Sequence, residues 1–133
     1  MKIILLIIQI LIFVGCQATD GGGSNIISNN IPTESKFTTT SPLNKTYTTS
    51  QNIDIVLSHP NAVTVSGTPG LELIVGTSTK VASYLSGSGT QNLTFRYTVA
   101  ANDSDTDGIV LSDSIILNNG TMTYLLNGVI TNC

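Results

Sequence analysis

The chain has 133 residues, of which only 10% are charged and 5% aromatic, and its formal charge is −3. Length allows one domain with a single core, and the abundance of Val, Ile, Leu, Thr, Ser, Asn and Gly favours short strands and turns over helices. Five scattered Lys and Arg give no basic stripe to neutralise phosphates, so nucleic acid is not an expected partner.

In chain order, Lys2 is followed by an apolar stretch over residues 3–14 broken only by Gln9. The stretch is too short for a permanent membrane span and is expected to be a signal peptide over residues 1–15. Its end, Phe13-Val14-Gly15-Cys16, resembles the lipobox of bacterial lipoproteins, with Phe13 standing where that motif usually has Leu. The resemblance implies a lipid on Cys16, which would become the mature N-terminus. An ordinary secretory signal cut after Ala18 is the alternative. With Cys16 lipidated, Cys133 is left as a lone thiol. Gln17 after the lipidated position resembles the pattern of outer-membrane lipoproteins.

Residues 16–44 carry Gly21-Gly-Gly-Ser24, Thr38-Thr-Thr-Ser41, Pro32 and Pro42, and read as a flexible tether. Coil of this kind spans about 30 Å root-mean-square over 28 residues. Ile26, Ile27 and Phe37 are its apolar exceptions, and a short edge strand near Phe37 or Tyr47 is left open.

From residue 45 to 133 the pattern predicts an all-β domain. Strands are expected at 53–58, 62–66, 71–75, 81–86, 92–99, 109–111, 114–117, 121–125 and 129–131. Ile53/Ile55/Leu57, Val63/Val65, Leu71/Leu73/Val75 and Leu93/Phe95/Tyr97/Val99 fall on inward faces at the two-residue strand period. Turns are expected at His59-Pro60-Asn61, Gly67-Thr-Pro-Gly70, Gly76-Thr-Ser78, Gly87-Ser-Gly89 and Asn119-Gly120. Two facing sheets could bury these inward rows.

The ordered series Val63-Thr-Val-Ser-Gly-Thr-Pro-Gly-Leu-Glu-Leu73, Ala82-Ser-Tyr-Leu-Ser-Gly-Ser-Gly-Thr90, Leu93-Thr-Phe-Arg-Tyr-Thr-Val99, Asp103-Ser-Asp-Thr-Asp-Gly-Ile109 and Leu117-Asn-Asn-Gly-Thr121 resembles the Ig-like repeats of large bacterial surface and adhesin-like proteins. The resemblance covers about residues 47–131 and implies an Ig-like Greek-key β-sandwich. Those repeats usually occur in tandem, whereas one is present here. Asn102 stands where the repeats commonly have Gly, and Tyr124 and Asn127-Gly128 where they have an Asp and Gly-Asn.

Asp103, Asp105 and Asp107, closed by Gly108, begin like a calcium loop, in which alternate carboxylates converge on one hard cation. The twelfth position counted from Asp103 is Ser114 rather than a bidentate Glu, so Asp113 is the remaining candidate ligand. A weak calcium site and a solvated acidic turn are both open readings. His59, the sole His, reads as an exposed loop residue, and Tyr84 and Tyr97 read as core or strand-face residues. No nucleophile–base set, zinc-spaced Cys/His cluster or phosphate loop is discernible, so catalysis is not expected. A small hydrolase would need a site around His59.

The expected function is that of a lipoprotein of the bacterial cell envelope, at the outer membrane. It is anchored through Cys16 and presents one β-sandwich as a surface or periplasmic binding or structural module for a protein or glycan. The alternative is a calcium-dependent carbohydrate- or matrix-binding domain, using calcium at Asp103, Asp105, Asp107 and Asp113.

Overall fold

The computed structural model describes residues 4–6, 14–15, 36–40 and 45–132. Among them every regular element is a strand: β1 (Ile4–Leu6), β2 (Val14–Gly15), β3 (Lys36–Thr40), β4 (Lys45–Tyr47), β5 (Asn52–Ser66), β6 (Gly70–Val75), β7 (Ser78–Ser86), β8 (Thr90–Thr98), β9 (Val110–Ile116), β10 (Thr121–Leu126) and β11 (Val129–Asn132). The main sheet runs β11-β10-β5-β8-β7-β6-β9, with β3 added to β5 and β2 to β3, while β1 pairs with β4 separately. All of these pairings are antiparallel.

Alternation explains the core. Ile53, Ile55 and Leu57 of β5, Leu71, Leu73 and Val75 of β6, and Leu93, Phe95 and Tyr97 of β8 are all buried, as the strand period requires. Met122 and Tyr124 of β10 and Leu111 of β9 belong to the same apolar cluster, although their strands lie at opposite ends of the sheet. The sheet therefore curls so that its inner face packs on itself, an all-β architecture compatible with a β-sandwich.

The expected turn at His59-Pro60-Asn61 does not form. β5 passes straight through it as one strand. Its pairing with β8 is irregular here: Ser58 lies opposite Asn92 and Val63 opposite Thr90. Pro60, which has no N–H to give a ladder, falls inside that irregularity, where none is needed. The expectation of an exposed His59 is corrected as well, because its ring is buried and sits 4.8 Å from that of Phe37 and 4.6 Å from that of Tyr124. The Asn61 N–H donates to His59 Nδ1 at 3.1 Å. β3 occupies the edge of β5 at residues 56–58 and β10 takes it up at residues 63–66. His59 fills the gap between them with an aromatic side chain that packs at a tilt against one residue from each.

Two further boundaries move. β3 lies within the stretch read as tether and is the edge strand that the sequence leaves open near Phe37; it pairs with β5 and buries Phe37 completely, so the folded part takes in Lys36–Thr40. The expected strands at 109–111 and 114–117 are one strand, β9, whose Ser112, Asp113 and Ser114 bulge opposite the single residue Glu72. The bulge interrupts the apolar alternation without ending the strand. Between β9 and β10 the left-handed turn residues are Asn118 (φ 49°) and Asn119 (φ 60°), one place earlier than expected. Gly120 is needed for a different reason: a Cβ there would lie 2.3 Å from the Ser66 carbonyl oxygen of β5.

Candidate functional site

The acidic loop, residues 100–109, joins β8 to β9 and lies over the β6–β7 hairpin. A backbone bond from the Asp103 N–H to the Ala100 carbonyl (3.1 Å) starts it as a tight turn. The Asp103 side chain then folds back into the protein, where it is only 1% exposed. Its Oδ2 accepts a short hydrogen bond from the Tyr97 hydroxyl and another from the Ala100 N–H at 2.7 Å. Its Oδ1 lies 3.1 Å from Lys80 Nζ of β7. Burial pushes the Asp103 carboxyl up, but the Tyr97 hydroxyl, the Ala100 N–H and the Lys80 ammonium together outweigh it and hold the group below the usual Asp range. The same pair drives Tyr97 far above an ordinary phenol, first through burial and then through the hydrogen bond and charge of Asp103.

Asp105 is also buried and works on the backbone. Its Oδ1 accepts from the N–H groups of Gly108 (2.6 Å) and Asp107 (3.2 Å), closing the loop on itself. Its Oδ2 accepts from the Gly76 N–H at 2.8 Å and so ties the loop to the β6–β7 turn. Gly76 has φ +60°, and a Cβ there would stand 2.4 Å from the Ser104 carbonyl oxygen, so only glycine lets the two segments approach this closely. Just beyond Gly108, Ile109 enters the core.

The four candidate calcium ligands therefore divide. Asp103 and Asp105 point inward to separate sets of protein donors, whereas Asp107 and Asp113 are exposed, Asp113 in the bulge of β9. Among the described residues no group of three or more His, Cys, Asp or Glu side chains is placed to hold a metal ion. Lys80, Tyr97 and Gly76 complete the arrangement and were not visible as partners in the sequence. Tyr97 showed only as an inward residue near a strand end, and Lys80 gave no signal. Cys16 and Cys133 lie outside the described residues.

A second polar constellation crosses the outer face of β5 and β8. The Arg96 guanidinium grips Asp54 with Nε–Oδ1 2.6 Å and Nη2–Oδ2 2.7 Å. Thr98 donates to Asn52 (2.8 Å) and Ser58 to Asn92 (2.7 Å) on either side of it. The Arg96 fork holds the Asp54 carboxyl below its ordinary range. These pairs are solvent-exposed and already matched to one another, and they knit the strands together. No protein-family model matches the chain, and neither a curated protein nor a solved structure matches it.

Proposed function

We propose that the chain is a lipoprotein of the bacterial cell envelope, anchored in the outer membrane through a lipid on Cys16, that presents a single Ig-like Greek-key β-sandwich as a binding or structural module. The observation that carries this reading is Cys16 at the close of the apolar stretch, directly after Phe13-Val14-Gly15. Removal of residues 1–15 takes β1 and β2 with it and leaves β3–β11, which together with Val99 and Ile109 of the acidic loop hold the buried cluster of the described residues. A binding rather than a catalytic role is supported by the fate of the polar side chains. His59 is packed between two aromatic rings, and Asp103 and Asp105 are committed to holding a loop. Partner contacts then fall to the turn loops and sheet edges, on a scaffold whose loops are fixed from within.

Metabolic labelling with a fatty acid tests the anchor. Label on the wild-type protein and none on Cys16→Ala is the expected result, and a wild-type protein that takes up no label removes the anchoring. Protease added to intact cells then separates surface display, in which the domain is cut, from a periplasmic location, in which it is spared.

A further inference from the structure

The two ends of the main sheet differ in how they guard their open edges. β9 carries the exposed Asp113 within a bulge, and both features obstruct pairing with another strand. β11, Val129-Ile130-Thr131-Asn132, has no charge, no proline and a regular register with β10. Among the described residues it pairs with β10 alone. Ile130 is 72% exposed and Val129 65%, and Leu125, opposite Ile130 on β10, is 60% exposed.

The register also fixes which backbone groups of β11 are turned outward. Asn127 (φ 52°) and Gly128 (φ 83°) form a two-residue loop with both central residues left-handed, the type I′ hairpin turn. Such a loop is closed by a hydrogen-bonded pair, here Leu126 and Val129. Alternation along the strand then directs the N–H and C=O of Val129 and Thr131 to β10 and those of Ile130 and Asn132 to the open side.

We propose that this edge is where a second copy of the chain pairs, β11 against β11, antiparallel about a two-fold axis at Ile130. The arrangement is self-complementary. Ile130 faces Ile130 of the second copy and the two exchange both of their outward hydrogen bonds, while Leu125 and Ile130 from each copy join in one apolar row across the new seam. Charge selects this occupant. The chain is net negative, with half of its acids between Asp103 and Asp113, but residues 114–132 contain no charged side chain, so two copies meet at this end without bringing carboxylates together.

The mature protein, extracted from producing cells in detergent, is examined by analytical ultracentrifugation over a range of protein concentrations. Wild type is expected to show a concentration-dependent dimer, and Ile130→Lys and Ile130→Glu each a monomer with unchanged circular dichroism. An equimolar mixture of the two variants is expected to restore the dimer, because residue 130 of one copy then faces an opposite charge on the other. A wild-type monomer throughout, a dimer indifferent to both variants, or a mixture that stays monomeric overturns the proposal. In the Cys16→Ala background, which carries no lipid, a monomer that floats with phosphatidylcholine vesicles, when its Ile130→Lys derivative does not, overturns it in favour of a lipid surface.

Discussion

Two carboxylate–cation pairs in this molecule look alike in a list of contacts and differ in what surrounds them. Asp54 and Arg96 meet in a two-pronged grip at shorter distances than Asp103 and Lys80, yet both side chains are about two-fifths exposed. Asp103 is out of contact with water and answers to a hydroxyl and a backbone N–H as well as to the ammonium. Water competes for the first pair at every moment, whereas removal of the second leaves buried donors with nothing to bond. Geometry alone therefore ranks the two pairs in the wrong order.

The largest effect that separates them is expected from Asp103→Ala. It strands the Tyr97 hydroxyl and the Ala100 N–H and frees the loop from β7, lowering unfolding free energy in urea by about 3 kcal/mol. Asp105→Ala follows at about 2 kcal/mol, with hydrogen exchange rising first at Gly76 and Gly108, whose N–H groups lose their acceptor. Tyr97→Phe removes one donor and keeps the ring, and about 1 kcal/mol is expected from the same urea titration. Asp54→Ala is the smallest, a change that melting at physiological salt does not distinguish from wild type.

Acid and alkali offer a second way to sharpen the contrast. Asp103 has a lowered value in the folded chain, so its contribution is present above the unfolded Asp value, about pH 4, and is lost as pH falls through the folded value. Tyr97 has a raised value, so its contribution is present below the unfolded Tyr value, about pH 10, and fades as pH climbs beyond it. Stability measured against pH is expected to decline at both ends, and Asp103→Ala to flatten both slopes. Asp54 is also held low but is exposed, and its removal is expected to leave the Tyr97 share of the alkaline slope in place. Millimolar calcium is expected to leave the melting temperature of the wild type unmoved, since the two buried carboxylates already have their donors. A calcium-dependent rise would show that the loop opens to a cation.

Strand periodicity made the inward faces legible, because a period of two depends on nothing beyond the local chain. Ile53, Leu73 and Phe95 could be assigned to the core on that basis. Where the outcome depended on a partner far along the chain, the local pattern misled. His59-Pro60-Asn61 has turn chemistry, yet Phe37 and Tyr124 give the imidazole a place in the core and the strand continues. Asn119-Gly120 reads as a hairpin turn, but the close approach of Ser66 claims the glycine and Asn118 and Asn119 take the left-handed positions instead. Two of the three alternating Asp residues have partners that their spacing does not disclose: Asp103 meets Tyr97 and Lys80, and Asp105 the Gly76 N–H, groups brought near only once β6, β7 and β8 are in place.

The fifteen-residue β5 carries a consequence for time. It lies inside the sheet, with β8 along one side and β3 and then β10 along the other, and Asn52 is bonded to a residue 46 positions further along the chain. β3 can pair with β5 early, Thr38 and Ser58 being 20 positions apart, but Val63 and its neighbours gain their β10 partners only when residues as distant as Tyr124 have emerged. Folding limited by such distant pairings runs in milliseconds to seconds rather than microseconds. Until those pairings form the chain is unfolded, the form in which a polypeptide can still be threaded through a narrow opening.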